Sequence, residues 1–402
     1  MTSRLRVRFA AVFAVFALLT TGLVSGQSWA SPNDYPSQAE VDAARHSVTK
    51  KKKLIARIDK IITSLADEEA SLSMVAQQKG EIYNQAQVLV DEIAAKVKIL
   101  QEQADAANAQ ADAAKQQLGL IASQMYRQGA AGTSLNLFLN AGKADDLLYQ
   151  LGAQERVAQS SDTLYQRSVQ TQKYAESLNS QLKVAKAELA AKAAIAKAAY
   201  DEAQRAADVL TAKVNENKAH MATMISQLAV LQRTSEKLAA ERAAGLAQDA
   251  AWSHGHADMT APELYDVGDP NSDKVEIAIA FAKKQLGEPY VLGGMGPSVW
   301  DCSGITKASY AVAGYYIGTH SATNQFREMA RQKKLIPLSQ IKRGDLLWYS
   351  PEPGVFDGDK AHVVIYLGND LMLEAPHPGS EVRIVGVRHG EQLFRYAGRP
   401  TA

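Results

Sequence analysis

The 402-residue chain has a single cysteine, Cys302. One thiol excludes an internal disulfide and leaves either an intermolecular staple or a reactive group. Tryptophan is missing from the middle of the chain, its four copies standing at Trp29, Trp252, Trp300 and Trp348. A compact core between about residues 36 and 246 would hold some large rings. Their absence, in a stretch rich in Ala, Gln and Lys, indicates elongated helices that bury a narrow seam. Proline is absent from Gln38 to Met125, and the glycines there are Gly80 and Gly119. Net charge is nearly absent too, at +1, so composition gives no reason to expect nucleic acid as a partner.

At the N-terminus, Arg4, Arg6 and Arg8 precede an apolar run from Phe9 to Leu19, and Ser28-Trp29-Ala30 follows with small residues where a signal peptidase reads. This predicts a secretory signal over residues 1–30, cleaved after Ala30, and an extracytoplasmic, cell-wall-associated protein. The other reading is a retained anchor, for which the apolar run is short. No cysteine lies near the site, which excludes a lipid anchor on Cys.

A coiled-coil arm is expected over residues 31–246. Leu54, Ile58, Ile61, Leu65, Leu72, Val75, Ile82, Ala86, Leu89, Ile93 and Leu100 recur at gaps near three and four, broken at Glu68, Lys79 and Lys96. That is a heptad seam. A helix of some ninety residues would be roughly 130 Å long and needs a partner. The partner is a second, Ala-rich helical stretch from Lys143 to Leu246, pairing antiparallel through Leu178, Leu182, Leu189, Met224, Leu228, Leu231 and Leu238. Between them, near 128–148, a hairpin tip carries Leu135, Leu137, Phe138, Leu139, Leu147 and Leu148. Those apolar residues form either a local core that caps the coil or a docking tip for a partner protein. Lys50-Lys51-Lys52-Lys53 reads as a solvated helix face, or else as a contact for anionic polymer.

Residues 247–273 turn to Gly, Pro, Asp and His and read as a flexible linker. His254, His256 and Asp258 lie in it without a further ligand cluster, so neither a metal nor any other cofactor is expected. Residues 274–402 mix helical stretches, Val275–Leu286 and Gly304–Ala313, with strand-like runs at 345–349, 362–367, 371–374 and 381–385. Gly368-Asn369-Asp370 reads as a hairpin turn. This is an α+β domain, helices first and then an antiparallel sheet.

A thiol needs a nearby base, a helix N-terminus, or both, to act as a nucleophile. Trp300-Asp301-Cys302-Ser303-Gly304 precedes a helical stretch, which puts Cys302 in a first turn where free N–H groups favour thiolate. Of the eight histidines, His320, His362, His377 and His389 lie in this domain. His362 opens its most apolar strand, where a base is held rigidly, although a histidine at a strand start is also ordinary structure.

Four blocks occur in order: Glu288-Pro289-Tyr290-Val291-Leu292-Gly293-Gly294, Asp301-Cys302-Ser303-Gly304, Arg343-Gly344-Asp345-Leu346 and His362-Val363-Val364-Ile365-Tyr366-Leu367-Gly368. Together they resemble the NlpC-type peptidoglycan endopeptidases. The resemblance implies a papain-like fold, no cofactor, and hydrolysis of stem-peptide bonds, commonly between D-glutamate and the diamino acid. It implies Cys302 as nucleophile and His362 as base. The third polar residue is Glu374, the choice of actinobacterial members, or His377 in its place. Tyr290, Asp301, Ser303 and His320 match positions lining the cleft or contacting substrate. More loosely, Met125-Tyr126-Arg127-Gln128-Gly129 and Asp145-Asp146-Leu147-Leu148 resemble the arms of division-linked wall hydrolases. In those the arm binds the outer loop of FtsX, partner of the ATPase FtsE. The rival reading is a non-catalytic adaptor that only binds wall peptides, against which stands the intact Cys302 and His362 pair.

Cys302→Ala and His362→Ala are each expected to abolish hydrolysis of purified peptidoglycan while leaving the domain folded by circular dichroism. Peptide release by Cys302→Ala would refute the thiol mechanism.

Overall fold

The computed structural model describes residues 35–128, 144–253, 259–390 and 392–402. The signal expected over residues 1–30, the tip residues 129–143, and His254, His256 and Asp258 lie outside the described residues. Among the described residues, no helix is long and apolar enough to cross a membrane, and no three His, Cys, Asp or Glu side chains form a metal-binding group.

The α+β domain preceded by long helices is what the chain forms. The helices α1 (Gln38–Arg45), α2 (Val48–Gln128), α3 (Ala144–Gln232) and α4 (Glu236–Ser253) come first. The two stretches expected to be unbroken are interrupted at His46–Ser47 and again at Arg233–Ser235, where Arg233 takes φ 55°. The chain divides into two compact units, one of residues up to Glu68 with His220–Ala247, the other of Glu69–Ala219 with Gln248–Ala402.

In the first unit, Ser37 caps α1 in a reciprocal capping box with Glu40. Its core joins Val41, Leu54, Ile58, Ile61, Ile62 and Leu65 to Met224, Leu228 and Leu231, so this part of the seam lies where the heptads put it. Leu238 is 57% exposed, because the break at Arg233 restarts the helical phase.

In the second unit α2 and α3 run antiparallel. Ala76 packs with Leu210 and Val214, and Ala104 and Ala107 with Leu178 and Leu182. Asn108 and Asn179 exchange side-chain amide hydrogen bonds of 2.8 and 3.4 Å. The seam expected through Val75, Ile82 and Leu89 is not buried, these residues being 38, 42 and 44% exposed. The covered face is instead polar, with Gln77, Glu81 and Asn84 buried. Another helix would not cover such a face; a polar cleft does.

The rest of this unit comprises α5 (Ser272–Lys283), α6 (Cys302–Val312), α7 (Ala322–Arg331) and strands β1 (Leu335–Pro337), β2 (Leu346–Tyr349), β3 (His362–Gly368), β4 (Leu371–Glu374), β5 (Arg383–Gly386) and β6 (Tyr396–Gly398). The sheet order is β1-β6-β2-β3-β4-β5, antiparallel throughout. Asn369 and Asp370, both at positive φ, make the two-residue β3–β4 turn. Helices α5, α6 and α7 cover one face through Ile279, Ile305, Tyr310 and Phe326, packed on Trp348, Val363 and Ile365. The other face carries Leu347, Val364 and Met372. With both faces covered, β3 reads as a continuous apolar run.

The flexible linker expected over 247–273 is corrected. Its start belongs to α4, which runs to Ser253. Further on, Ala261 and Tyr265 pack into the core beneath the helices. The Gly268 carbonyl accepts from Arg399 at 3.2 Å, and the Asn271 N–H donates to the Thr401 carbonyl at 3.3 Å. Single apolar residues spaced among Gly, Pro and Asp look like linker composition, yet Ala261 and Tyr265 find sockets, while Met259 and Leu264 stay 46 and 38% exposed.

Gly344 holds φ +91°, and a Cβ there would lie 2.5 Å from Val275. Gly344→Ala is expected to destabilise the protein by about 2–4 kcal/mol through backbone strain and overpacking. A wild-type denaturation midpoint would contradict this packing.

Candidate active site

Asp301 is the N-cap of α6, so Cys302 is the helix's first residue. Its carboxylate accepts from the Gly304 N–H at 2.7 Å and the Ser303 hydroxyl at 3.1 Å. Gly304 must be glycine for another reason, since a Cβ there would stand 2.0 Å from the Gly294 carbonyl oxygen. The tight approach fixes the first turn of α6 and, with it, the sulfur.

The Cys302 sulfur accepts the backbone N–H groups of Val363 and Ser303. Val363 follows His362 on β3, so the thiol lies at the strand start that carries the imidazole. His362 is fully buried; its Nε2 lies 2.8 Å from Glu374 Oε2, and its Nδ1 has no hydrogen-bond partner among the described residues. That leaves Nδ1 as the atom available to take a thiol proton. Tyr349 packs beside the ring, centroids 5.9 Å apart.

Glu374, on β4, is fully buried. Arg388 grips it with two bonds of 2.9 Å each, and Arg383 Nε donates at 3.1 Å. Burial alone would raise its carboxyl, but Arg388, His362 and Arg383 outweigh that and hold it well below the usual carboxylate range. A permanently ionised carboxylate orients the ring and stabilises imidazolium. Burial lowers His362 despite Glu374, so the ring rests neutral, ready as a base. His377 does not reach this pair. It is buried nearby, with Nδ1 2.9 Å from the Pro378 carbonyl.

Tyr290, Asp301, Ser303 and His320 come together around the thiol. His320 Nε2 lies 2.8 Å from both Asp301 oxygens. Burial would raise the Asp301 carboxyl, but His320, the Gly304 N–H and Asn84 together keep it low. The Cys302 thiol is pushed well above its ordinary value, first by burial and then by the charges of Asp301 and Glu81; the two backbone N–H groups offset only part of this. A thiol so placed is protonated at neutral pH, and protonated thiols are poor nucleophiles.

From the sequence the arm is long enough to fold back over the cleft, and a stretch of α2 does lie in it, held by residues that the sequence reading did not single out. Gln77 Nε2 donates to the Pro376 carbonyl at 2.8 Å. Glu81 accepts from the Ser321 hydroxyl at 2.5 Å and from the Ala322 and Thr323 N–H groups at 2.8 and 3.0 Å. Asn84 Nδ2 donates to Asp301 at 3.0 Å and approaches Ser303 Oγ at 3.4 Å. Gly80 faces Leu292 and the Tyr290 hydroxyl, where a Cβ would stand 3.1 Å from Leu292 Cδ1 and 3.8 Å from the hydroxyl oxygen. The signal was present: Gln77, Gly80, Glu81 and Asn84 follow helical spacing, and the seam residues beside them are exposed. Arg383 and Arg388 were missed too, since charged residues around a short edge strand look like ordinary surface.

Residues 287–396 match the NlpC/P60 family. Peptidoglycan endopeptidase RipA of Mycolicibacterium smegmatis is 34% identical over 147 residues, covering 33% of this chain and 26% of that protein. RipA of Mycobacterium tuberculosis is 37% identical over 126 residues, covering 28% of this chain and 24% of that protein. The solved structure of the peptidoglycan hydrolase RipB from Mycobacterium tuberculosis is 30% identical, covers 32% of this chain and 66% of that one, and has a TM-score of 0.28. The chain spans about a quarter of the length of the two RipA relatives.

Glu374→Gln removes the charge while keeping the shape. It is expected to lower turnover on purified peptidoglycan by on the order of a hundredfold, less than Cys302→Ala does. Unchanged turnover there, with a large loss in His377→Ala, would transfer the orienting role to His377.

Proposed function

The chain carries an NlpC/P60 domain at its C-terminus, and from that premise we propose that it is a secreted cysteine endopeptidase of peptidoglycan, held in check by its own helical arm. The observation that supports catalysis most strongly is the thiol at the α6 N-terminus beside a His362 already oriented by Glu374. His362 Nδ1 takes the Cys302 proton, and the thiolate attacks the scissile carbonyl to give an acyl-enzyme. The imidazolium returns the proton to the leaving amine, and water, activated by the same ring, releases the acyl group. The bond we assign is that between D-glutamate and the diamino acid of the stem peptide.

The buried face of α2 supports the restraint. It covers Tyr290, Asp301 and Ser303, and its Glu81 charge helps keep the thiol protonated. The hold is imperfect in a telling way: Asn84 Oδ1 is buried and without a hydrogen-bond partner among the described residues. An unsatisfied buried acceptor weakens the closed arrangement by about 1–3 kcal/mol. A partner therefore needs to supply only a few kcal/mol of differential affinity to open the site. The partner we propose is the outer loop of FtsX, in cell division or wall remodelling, at the tip that includes Phe138 and Leu139.

Gly80→Phe should force α2 away from Leu292 and Tyr290 without altering the catalytic domain. On a defined disaccharide-tetrapeptide it is expected to hydrolyse several-fold faster than the native chain, with product masses marking a cut after D-glutamate. Equal rates would make the arm a spacer, and product masses from another bond would reassign the specificity.

A further inference from the structure

Four neighbouring strands each deliver one side chain to the catalytic end of the sheet. Tyr349 comes from β2, His362 from β3, Glu374 from β4 and Arg383 from β5. Tyr349 stands opposite His362 in the strand register, and Glu374 opposite Arg383. Arg388 follows shortly after β5 ends at Gly386, and its side chain returns to β2. The guanidinium bonds Glu374 through two nitrogens and lies 4.7 Å from the centre of the Tyr349 ring. The Arg388 backbone N–H donates to the Tyr349 hydroxyl at 3.1 Å. The same ring packs beside His362, so one aromatic side chain seats both the base and the clamp.

The domain holds a second arginine–carboxylate clamp, which shows what a structural one looks like. Arg399 bonds the two oxygens of buried Asp345 at 3.1 and 2.9 Å, and also donates to the Gly268 and Gln340 carbonyls. It ties separate stretches of chain together, and burial still lifts the Asp345 carboxyl to about 6. Among the described residues, the Arg388 guanidinium hydrogen-bonds to Glu374 alone. A planar fork on both oxygens fixes the plane of a carboxylate. Glu374 Oε2, one of the two oxygens held in this way, is the atom that meets His362 Nε2. The Arg383 side chain is 43% exposed and reaches only Oε1, so it adds charge without fixing that plane.

We propose that Arg388 is a positioning residue of the hydrolysis: its fork fixes the plane of Glu374, and through it the tautomer and aim of His362, while its charge extends activity toward acid pH. The role rests on the endopeptidase reading above. A proton added to the Glu374–His362 pair removes either the free base or its orienting charge, so the pair titrates as a unit. Facing or flanking it are Arg388, Arg383, Cys302 on α6, Tyr349 on β2, His377 beyond β4 and the Asp370–His389 pair at the β3–β4 turn. Burial pushes Glu374 up and His362 down; Arg388 pushes both down, and by more than Arg383 does. Without Arg388 the pair keeps its proton to higher pH, and the acid limb of the rate profile moves up.

The test measures kcat and KM of the full chain on a defined disaccharide-tetrapeptide, from acid to neutral pH, for the native protein, Arg388→Met, Arg388→Lys and Arg383→Met. Arg388→Met should lose on the order of tenfold in kcat, with KM within about twofold and the acid limb of kcat/KM moved up by about one pH unit. Arg388→Lys keeps the charge and loses the fork, so kcat should fall while the limb stays in place. Arg383→Met should lose less in kcat than Arg388→Met. Native kcat and a native profile in Arg388→Met, or an equal loss in Arg383→Met, would overturn the role. Should Arg388→Met not fold, Arg388→Lys decides: native kcat there overturns the fork, and a limb moved up by about one pH unit overturns the part given to charge. No turnover by the native chain would overturn the endopeptidase reading, and the role of Arg388 with it.

Discussion

Asp301 accepts hydrogen bonds from the Gly304 and Gly293 N–H groups, the Ser303 hydroxyl and the His320 ring, and a further one from Asn84 of the arm. The bonds to Gly304 and Ser303 cap α6 and so aim the thiol. The bond to His320 ties the start of α7 to the same point. The bond to Asn84 brings α2 over the cleft. A fully buried carboxylate is tolerable only when its oxygens are filled, and the only one of these donors that comes from outside the catalytic domain is Asn84. When the arm is displaced, water or the amide groups of a peptide substrate can take the place of Asn84.

Two carboxylates near the thiol and histidine act in opposite senses. Glu374, clamped by Arg388 and Arg383, stays ionised and steadies the His362 ring. Glu81, with neutral donors only, adds negative charge beside the sulfur and discourages thiolate. The first belongs to the sheet and is permanent. The second belongs to α2 and is bonded there by Ser321, Ala322 and Thr323.

Much of this was legible in the residues. The lone Cys302 before a helical run, the apolar strand opened by His362, and the turn at Asn369-Asp370 all follow from local rules of helix starts, strand alternation and positive-φ turns. The strands β1 and β6 were not legible, being three residues each and paired across some sixty positions of sequence. The linker was misread because composition registers Gly and Pro but not the sockets that receive Ala261 and Tyr265. The arm's role was half legible: the heptads predicted Leu54 to Leu65 correctly, then failed at Val75, because a periodicity count scores apolar residues and the functional face there is Gln77, Glu81 and Asn84.

With one cysteine in the chain, alkylation by iodoacetamide reports on Cys302 alone. The rate, measured against pH on the full native chain and on Glu81→Gln, gives the apparent thiol pKa with and without the arm's charge. The account predicts a lower apparent pKa and faster alkylation at neutral pH in Glu81→Gln. Superimposable profiles would contradict it, since they would mean that the Glu81 charge does not hold the thiol proton.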